Sequence, residues 1–478
     1  MTSAVLRVVA QIDSLTVPLK LVWSVSMTPL DSIDLDGVAT EHRIPGAVVA
    51  ILSGGEANVR AFGVLNVATE EASTPDSLFQ IGSITKLWTA TVIMQLVEQH
   101  ALDLDAFVRQ YLPDFRVGDD DAAASITVRH LLTHTSGIAD DYTPTTRGDD
   151  ALAKYVNDVV PKLALEFHPG ADFNYSNAAY VVLGRIAEIL CGKPYHEVLR
   201  ERIATPLGLQ RWAPVPEEAL LFRTAVGHLP TSDGAVEPAA AWSMSAAHSP
   251  AGSQVAMTAA SLLAFAGAYL RGGPPLVSEQ TAEQMWVPEP NIPELGGSGG
   301  QLAIGGVIQR VDDTTIIGYD GATYGQSASL RILPTADMAV VSMANGGNMF
   351  AFHQSVLSRL VHHAAGIELP GPPVPPRHPE PVNAAFVCGQ YRGRDLEVAV
   401  TAGHQGSVLV TENPLSEELR ALLPSGGGAE FVRLDDRKLI GTSQHIGVYP
   451  VIAIIGDSSS PATAILHYGR TLNRVDSA

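Results

Sequence analysis

The sequence predicts an α+β fold in which helices pack on an antiparallel sheet, followed by a second, all-β domain. Three observations carry this reading. A hairpin signal, Val48 to Leu52 and Val59 to Val64 around Gly54-Gly55, is answered by further strand-like runs only between 302 and 345, after a long stretch of helical patterning. The segment Leu369-Pro370-Gly371-Pro372-Pro373-Val374-Pro375-Pro376 is a stiff, extended linker. Beyond it, strand-like runs recur at Glu397–Thr401, Ser407–Thr411, Leu439–Gly441, Val448–Ile455 and Ala464–Tyr468, separated by turn residues, as in a small barrel or sandwich. At 478 residues the chain is too long for one average domain. The division that follows is an N-terminal extension at 1–32, a main domain at 33–368, a Pro-rich linker at 369–382 and a C-terminal β domain at 383–478.

Taken in order, the first residues hold an apolar stretch, Leu15 to Ser26, interrupted by Pro18 and Lys20. No charged leader runs into an uninterrupted apolar core with a cleavage site, and no stretch is long enough to span a membrane. The expectation is a poorly ordered extension and a cytoplasmic protein. After the hairpin at 44–65, a helix runs through Leu96 to Gln99. Its segment Leu87-Trp88-Thr89-Ala90-Thr91-Val92-Ile93-Met94 is apolar nearly all round and therefore buried. Helices are expected at 150–165, at 178–190 and at 258–270, the last opening on the N-cap Thr258. Gly296-Gly297-Ser298-Gly299-Gly300 reads as a flexible loop, and the strands at 302–345 return to the first sheet.

Three motifs point to chemistry. Ser83-Ile84-Thr85-Lys86 opens the first long helix, where residues three apart share a face, so Ser83 and Lys86 meet within one turn. A serine hydroxyl is a weak nucleophile and needs a base within reach, and a lysine serves only where burial lowers its pKa. In Phe173-Asn174-Tyr175-Ser176-Asn177, an extended loop aims Tyr175 and Asn177 into one cleft. Beside a cationic lysine the tyrosine phenolate is favoured and can relay a proton, while Asn177 can hold lysine and substrate. Gly318-Tyr319-Asp320-Gly321-Ala322-Thr323-Tyr324-Gly325-Gln326 follows the strand-like run Gly306–Val311; its glycines suit either a turn or a strand that a substrate backbone approaches closely.

The order Ser-x-x-Lys, Tyr-x-Asn, glycine-rich strand resembles the serine β-lactamase and penicillin-binding-protein superfamily, most of all class C β-lactamases and their related esterases and D-aminopeptidases. Supporting stretches are Pro45-Gly46-Ala47-Val48-Val49-Ala50, Leu102-Asp103-Leu104-Asp105 and His130-Leu131-Leu132-Thr133-His134-Thr135-Ser136-Gly137, and the likeness covers residues 33 to 365. The resemblance implies an acyl enzyme on Ser83, with Lys86, assisted by Tyr175, accepting its proton and later passing one to the leaving group. It implies backbone N–H groups of Ser83 and Ala322 as an oxyanion hole, and Asn177, Tyr319, Asp320 and Gly321 lining the substrate. It implies a lipocalin-like C-terminal barrel, and neither metal nor organic cofactor. Where the family usually carries lysine or histidine, this chain has Tyr319, which is neutral and cannot supply the same positive charge, though it can still donate a hydrogen bond. Anionic β-lactams are therefore disfavoured as substrates.

Four functions compete at this stage: an esterase or amidase, including a D-residue peptidase; a stand-alone thioesterase that releases or cyclises nonribosomal peptides, free or carrier-bound; a β-lactamase or cell-wall carboxypeptidase; and a non-catalytic binding protein. A formal net charge of −20 argues against nucleic acid and anionic membrane surfaces as partners. The two cysteines, Cys191 and Cys388, read as buried free thiols. His130 and His134 have a spacing that zinc can use, but residue 131 is leucine rather than glutamate, and packing is the better reading. Asp119-Asp120-Asp121 reads as a solvated loop. Arg470 and Arg474 read as salt-bridge residues, or as a clamp for a substrate carboxylate if the β domain leans over the cleft.

Overall fold

Two segments, Gly46–Ser53 and Met338–Ala344, are apolar almost throughout and buried on both faces. They lie side by side at the centre of the main sheet. The computed structural model describes residues 9–11, 20–22, 29–139, 146–231, 235–289, 300–304, 306–415, 420, 428–445 and 447–475. In chain order the main sheet uses β1 (Val9–Gln11), β2 (Lys20–Val22), β3 (Gly46–Ser53), β4 (Glu56–Asn66), β5 (Gln301–Ala303), β6 (Gly306–Val311), β7 (Thr314–Ala322), β8 (Ser327–Leu333) and β9 (Met338–Ala344). Their spatial order is β5-β6-β7-β8-β9-β3-β4-β1-β2, every pair antiparallel.

The helices that matter for the site are α1 (Leu35–Glu41), α2 (Thr85–Glu98), α3 (Val128–Leu132), α4 (Ala151–Asp158), α5 (Asn177–Cys191), α6 (Ala259–Leu270) and α7 (Met349–Ala365). Strand alternation divides the core between the two faces of the sheet. Val48, Ala50 and Leu52 join the large core with α2, α5 and α6, whereas Ala47, Val49 and Ile51 pack with α1 and α7. Trp88 of α2 stacks on Phe265 of α6 at 5.3 Å, which fixes α2 over the sheet. As the sequence implied, α2 is buried nearly all round, Lys86 included. The helix expected at 150–165 stops at Asp158, because Pro161 supplies no N–H and the chain passes into a 3-10 turn, Val160–Lys162. Asp119 caps a short helix, Asp120–Ser125, instead of lying in a loop.

The N-terminal extension contributes more than expected. The open edge of β4 offers unpaired backbone groups, and Val9–Gln11 and Lys20–Val22 extend the sheet there. Leu30 and Ile33 belong to the core under α1 and α7, so that core reaches back to Leu30. Of the loop 296–300, only Gly300 lies within the described residues.

From 366 to 383 the chain has no regular secondary structure. It then closes an eight-stranded antiparallel barrel: β10 (Gly389–Arg392), β11 (Leu396–Ala402), β12 (Val408–Pro414), β13 (Ala429–Arg433), β14 (Lys438–Gly441), β15 (Val451–Ile455), β16 (Ala464–His467) and β17 (Arg470–Val475). Val398, Val400, Val410, Phe431, Ile452, Ile465 and Leu472 fill its interior, so the barrel is a packed core. The strands β10, β13 and β17 were not legible in the sequence because they are short and none carries a clean alternation of apolar and polar residues.

Candidate active site

Ser83 sits in a single 3-10 turn, Gly82–Ile84, that runs straight into α2. Gly82 has φ +51°, and a Cβ there would lie 2.4 Å from Ala322 N. Only glycine allows this approach. One turn on, Lys86 is fully buried, with Nζ 3.1 Å from Ser83 Oγ, 2.7 Å from Asn177 Oδ1 and 2.7 Å from Ala251 O. The Tyr175 hydroxyl is 2.8 Å from Ser83 Oγ. Lys86 Nζ stands 4.7 Å from the Tyr175 ring centroid.

These contacts limit the proton arrangement. Asn177 Oδ1 and Ala251 O only accept, so Lys86 donates to both. Two states with equal net charge then satisfy the trio. In one, a neutral lysine accepts a hydrogen bond from the Ser83 hydroxyl and the Tyr175 hydroxyl donates to Ser83 Oγ; in the other, a lysine ammonium faces a tyrosine phenolate. Desolvation alone would raise the Tyr175 pKa. The Lys86 charge and hydrogen bonds with Lys86, Ser83 and Tyr319 outweigh it and bring the phenol below its ordinary range. Burial, reinforced by the charge on Tyr175, holds Tyr319 well above the usual tyrosine value, so it stays a neutral donor.

Local structure explains why these side chains converge. Ser176, rather than Asn177, caps α5 through Ala179 N at 3.2 Å, which frees the Asn177 amide for Lys86. Asn174 N donates to His134 O, and Ser176 N to His134 Nδ1. The His134 ring lies against Tyr175 with centroids 4.4 Å apart. His134 is beyond the end of α3, in a turn with φ +57°, whereas His130 Nδ1 caps Thr127 N within α3. The two histidines therefore do not act as a pair, and His134 packs, as the sequence suggested, with its ring against Tyr175 and Tyr180.

The third motif is strand, not turn, through Ala322. Tyr319 faces the large core and the Tyr175 side. Asp320, expected to line the substrate, turns to the opposite face by strand alternation; Arg331 binds it at 2.7 and 3.0 Å, and Ser329 also donates to it. A Cβ on Gly321 would lie 2.0 Å from Ile81 O and 2.6 Å from Ser83 N. One on Gly252 would lie 2.1 Å from Gly82 O. Three glycines thus press β7, the Ser83 turn and the loop after Ala251 together. Gly252 and the Ala251 carbonyl were missed in the sequence, because an isolated glycine after Pro250-Ala251 carries no motif. Arg470 of the barrel stands 5.4 Å from the Tyr175 ring centroid. Arg474 instead bonds the Cys388, Phe386 and Ala462 carbonyls and the Tyr391 hydroxyl inside its own domain. Both cysteines are free, and half-buried rather than buried. Among the described residues no helix is long and apolar enough to cross a membrane.

A serine, a buried lysine and a tyrosine beside a glycine-edged strand, on an antiparallel sheet packed with helices, define the serine β-lactamase and penicillin-binding-protein-like superfamily. The chain belongs to the Beta-lactamase family, which it matches over residues 31–363. It is 36% identical over 363 residues to Penicillin-binding protein 4 of Amycolatopsis lactamdurans, covering 74% of this chain and 95% of that protein. It is 32% identical over 226 residues to Esterase EstB of Burkholderia gladioli, covering 44% of this chain and 55% of that one. Among solved structures, SurE superposes with a TM-score of 0.73 at 24% identity, over 92% of this chain and 97% of SurE. The D-amino acid amidase from Ochrobactrum anthropi superposes with a TM-score of 0.60 at 23% identity, over 70% of this chain and 97% of that one.

Proposed function

We propose that this protein is a serine acyl hydrolase or acyltransferase that works through an acyl enzyme on Ser83. The observation that carries the proposal is the approach of both Lys86 Nζ and the Tyr175 hydroxyl to Ser83 Oγ, at 3.1 and 2.8 Å. Ser83 Oγ attacks the carbonyl carbon while its proton passes to the Tyr175 phenolate. Lys86 stays an ammonium and holds that phenolate ionised. The backbone N–H groups of Ser83 and Ala322 receive the oxyanion, an assignment supported by the contact of the Gly82 turn with the end of β7. Tyr175 then gives its proton to the leaving group; in the second half it takes one from the attacking water or amine and returns it to Ser83 Oγ as the acyl–Oγ bond breaks. Asn177 orients Lys86 and substrate, and Tyr319 lines the same wall.

The acyl donor is an ester, amide or thioester, small or peptidyl, free or on a carrier protein. A neutral Tyr319 in place of a basic residue favours uncharged acyl groups over anionic β-lactams. A second reading, a stand-alone thioesterase that releases or cyclises peptides, is favoured by the two-domain layout of main domain and barrel, which resembles that of penicillin-binding-protein-type thioesterases. SurE has been crystallised with D-Leu, which fits a D-residue near the scissile bond. The test is intact-mass analysis after a fluorophosphonate and after an activated peptidyl thioester, with water and amine products counted. One adduct per chain, absent in Ser83→Ala, is the expected result. Labelling that persists in Ser83→Ala would remove the assignment.

A further inference from the structure

The extended segment Phe173–Ser176 is held from two sides. The N–H groups of Asn174 and Ser176 point to His134, within the main domain. The N–H of Tyr175 points the other way and donates to Gly469 O of the barrel at 2.9 Å. The next barrel residues continue the clasp. Thr471 N donates to Asn174 Oδ1 at 3.0 Å, and Thr471 Oγ1 donates to Phe173 O at 2.6 Å. Thr471 is buried, so these bonds do not compete with water. Beneath them Phe173, Leu302, Ala453 and Leu466 form an apolar cluster shared by the two domains. The barrel turn is itself anchored, because His467 Nε2 lies 2.7 Å from Glu412 Oε1.

We propose that the barrel is part of the catalytic apparatus: its turn at 468–469 and the start of β17 position the Tyr175 loop, and Thr471 is the residue that sets the phenol against Ser83. The inference rests on the acyl-enzyme reading above and goes beyond it. A β domain that served only to recognise large substrates would leave the chemistry of small ones untouched. A domain that supplies the hydrogen-bond partner of Tyr175 N–H governs every acylation, whatever the size of the donor. Thr471 touches no reacting atom; it acts through the loop, and an error of about 1 Å in the base is enough to cost about a hundredfold in rate.

The experiment uses the full chain with three substitutions. Thr471→Val keeps shape and backbone but loses the bond to Phe173 O. Thr471→Ser restores the hydroxyl. Asn473→Ala breaks a separate interface bond, Asn473 Nδ2 to Glu166 O, that does not reach the loop. Fluorophosphonate labelling rate at Ser83, melting temperature and amide exchange of residues 173–176 are measured on each. We expect Thr471→Val to label about ten- to a hundredfold more slowly, with faster exchange of the segment, Thr471→Ser to recover most of the rate, and Asn473→Ala to label as the parent does. Thr471→Val labelling at the parental rate would overturn the inference, as would equal slowing in Asn473→Ala or a melting loss that Thr471→Ser does not reverse. A parent that does not label Ser83 would sink the acyl-enzyme reading instead, while amide exchange would still report whether Thr471 holds the loop.

Discussion

Replacing Lys86 by methionine tests which group takes the serine proton. Methionine fills the lysine volume without its charge. At 4.7 Å, the distance from Lys86 Nζ to the Tyr175 ring centroid, opposite unit charges in a medium of effective dielectric about 20 attract by roughly 3.5 kcal/mol. Losing that attraction disfavours the phenolate and lowers neutral-pH activity by two to three orders of magnitude, at about 1.4 kcal/mol per factor of ten. The sign follows from the Tyr175 phenol, which Lys86 holds below its ordinary value against the opposing effect of burial. In the parent the base form is lost as pH falls through that depressed pKa. In Lys86→Met, desolvation is no longer opposed by the charge, so the rise in activity moves to higher pH. The assay is the pH profile of acylation by a small ester, with the melting temperature to show that leaving Asn177 Oδ1 and Ala251 O without their donor has not unfolded the chain. Near-parental turnover at neutral pH would refute a role for Lys86. An activity that stays low up to alkaline pH would refute Tyr175 as the base and return that task to Lys86.

Three further substitutions separate the parts of the site. Gly321→Ala puts a Cβ 2.0 Å from Ile81 O and forces β7 away from the Ser83 turn; fluorophosphonate labelling should fall by about a hundredfold or more, and overpacking should cost about 1–3 kcal/mol of stability in denaturant unfolding. Tyr319→His adds a group that can carry positive charge, so the second-order rate with benzylpenicillin should rise more than that with a neutral ester, by up to roughly a hundredfold for about 1–3 kcal/mol of charged contact; equal changes for both substrates would remove Tyr319 as the determinant of charge preference. Asp320→Asn weakens the pair with Arg331, whose side chain is 13% exposed against 50% for Asp320. It should lower stability by about 1 kcal/mol and leave kcat/KM unchanged, since Asp320 faces away from Ser83; a marked loss of kcat/KM would put Asp320 back in the cleft.

The sequence by itself indicated the class of fold, with its C-terminal β barrel, and the meeting of Ser83 with Lys86. Each is written in local terms. Helical spacing brings Ser83 and Lys86 onto one turn, apolar runs mark Gly46–Ser53 and Met338–Ala344 as central strands, and the Pro-rich segment before 383 marks a boundary. Much of what surrounds the trio is non-local and left little trace. Asp320 and Tyr319 are neighbours in sequence, but the pleat sends them to opposite faces, and only the pairing with Ser329 and Arg331 decides which face is the cleft. His134 stacks on Tyr175 because two loops distant in sequence share a layer of the core. Gly252 matters for the Cβ it lacks beside Gly82, a contact invisible until both turns are placed. The polar strand β17 carries no apolar alternation, yet closes the barrel between β16 and β10 and reaches the Tyr175 loop through Thr471. Local spacing specifies which groups can react; the tertiary fold decides what holds them there, because those contacts join segments that no periodicity connects.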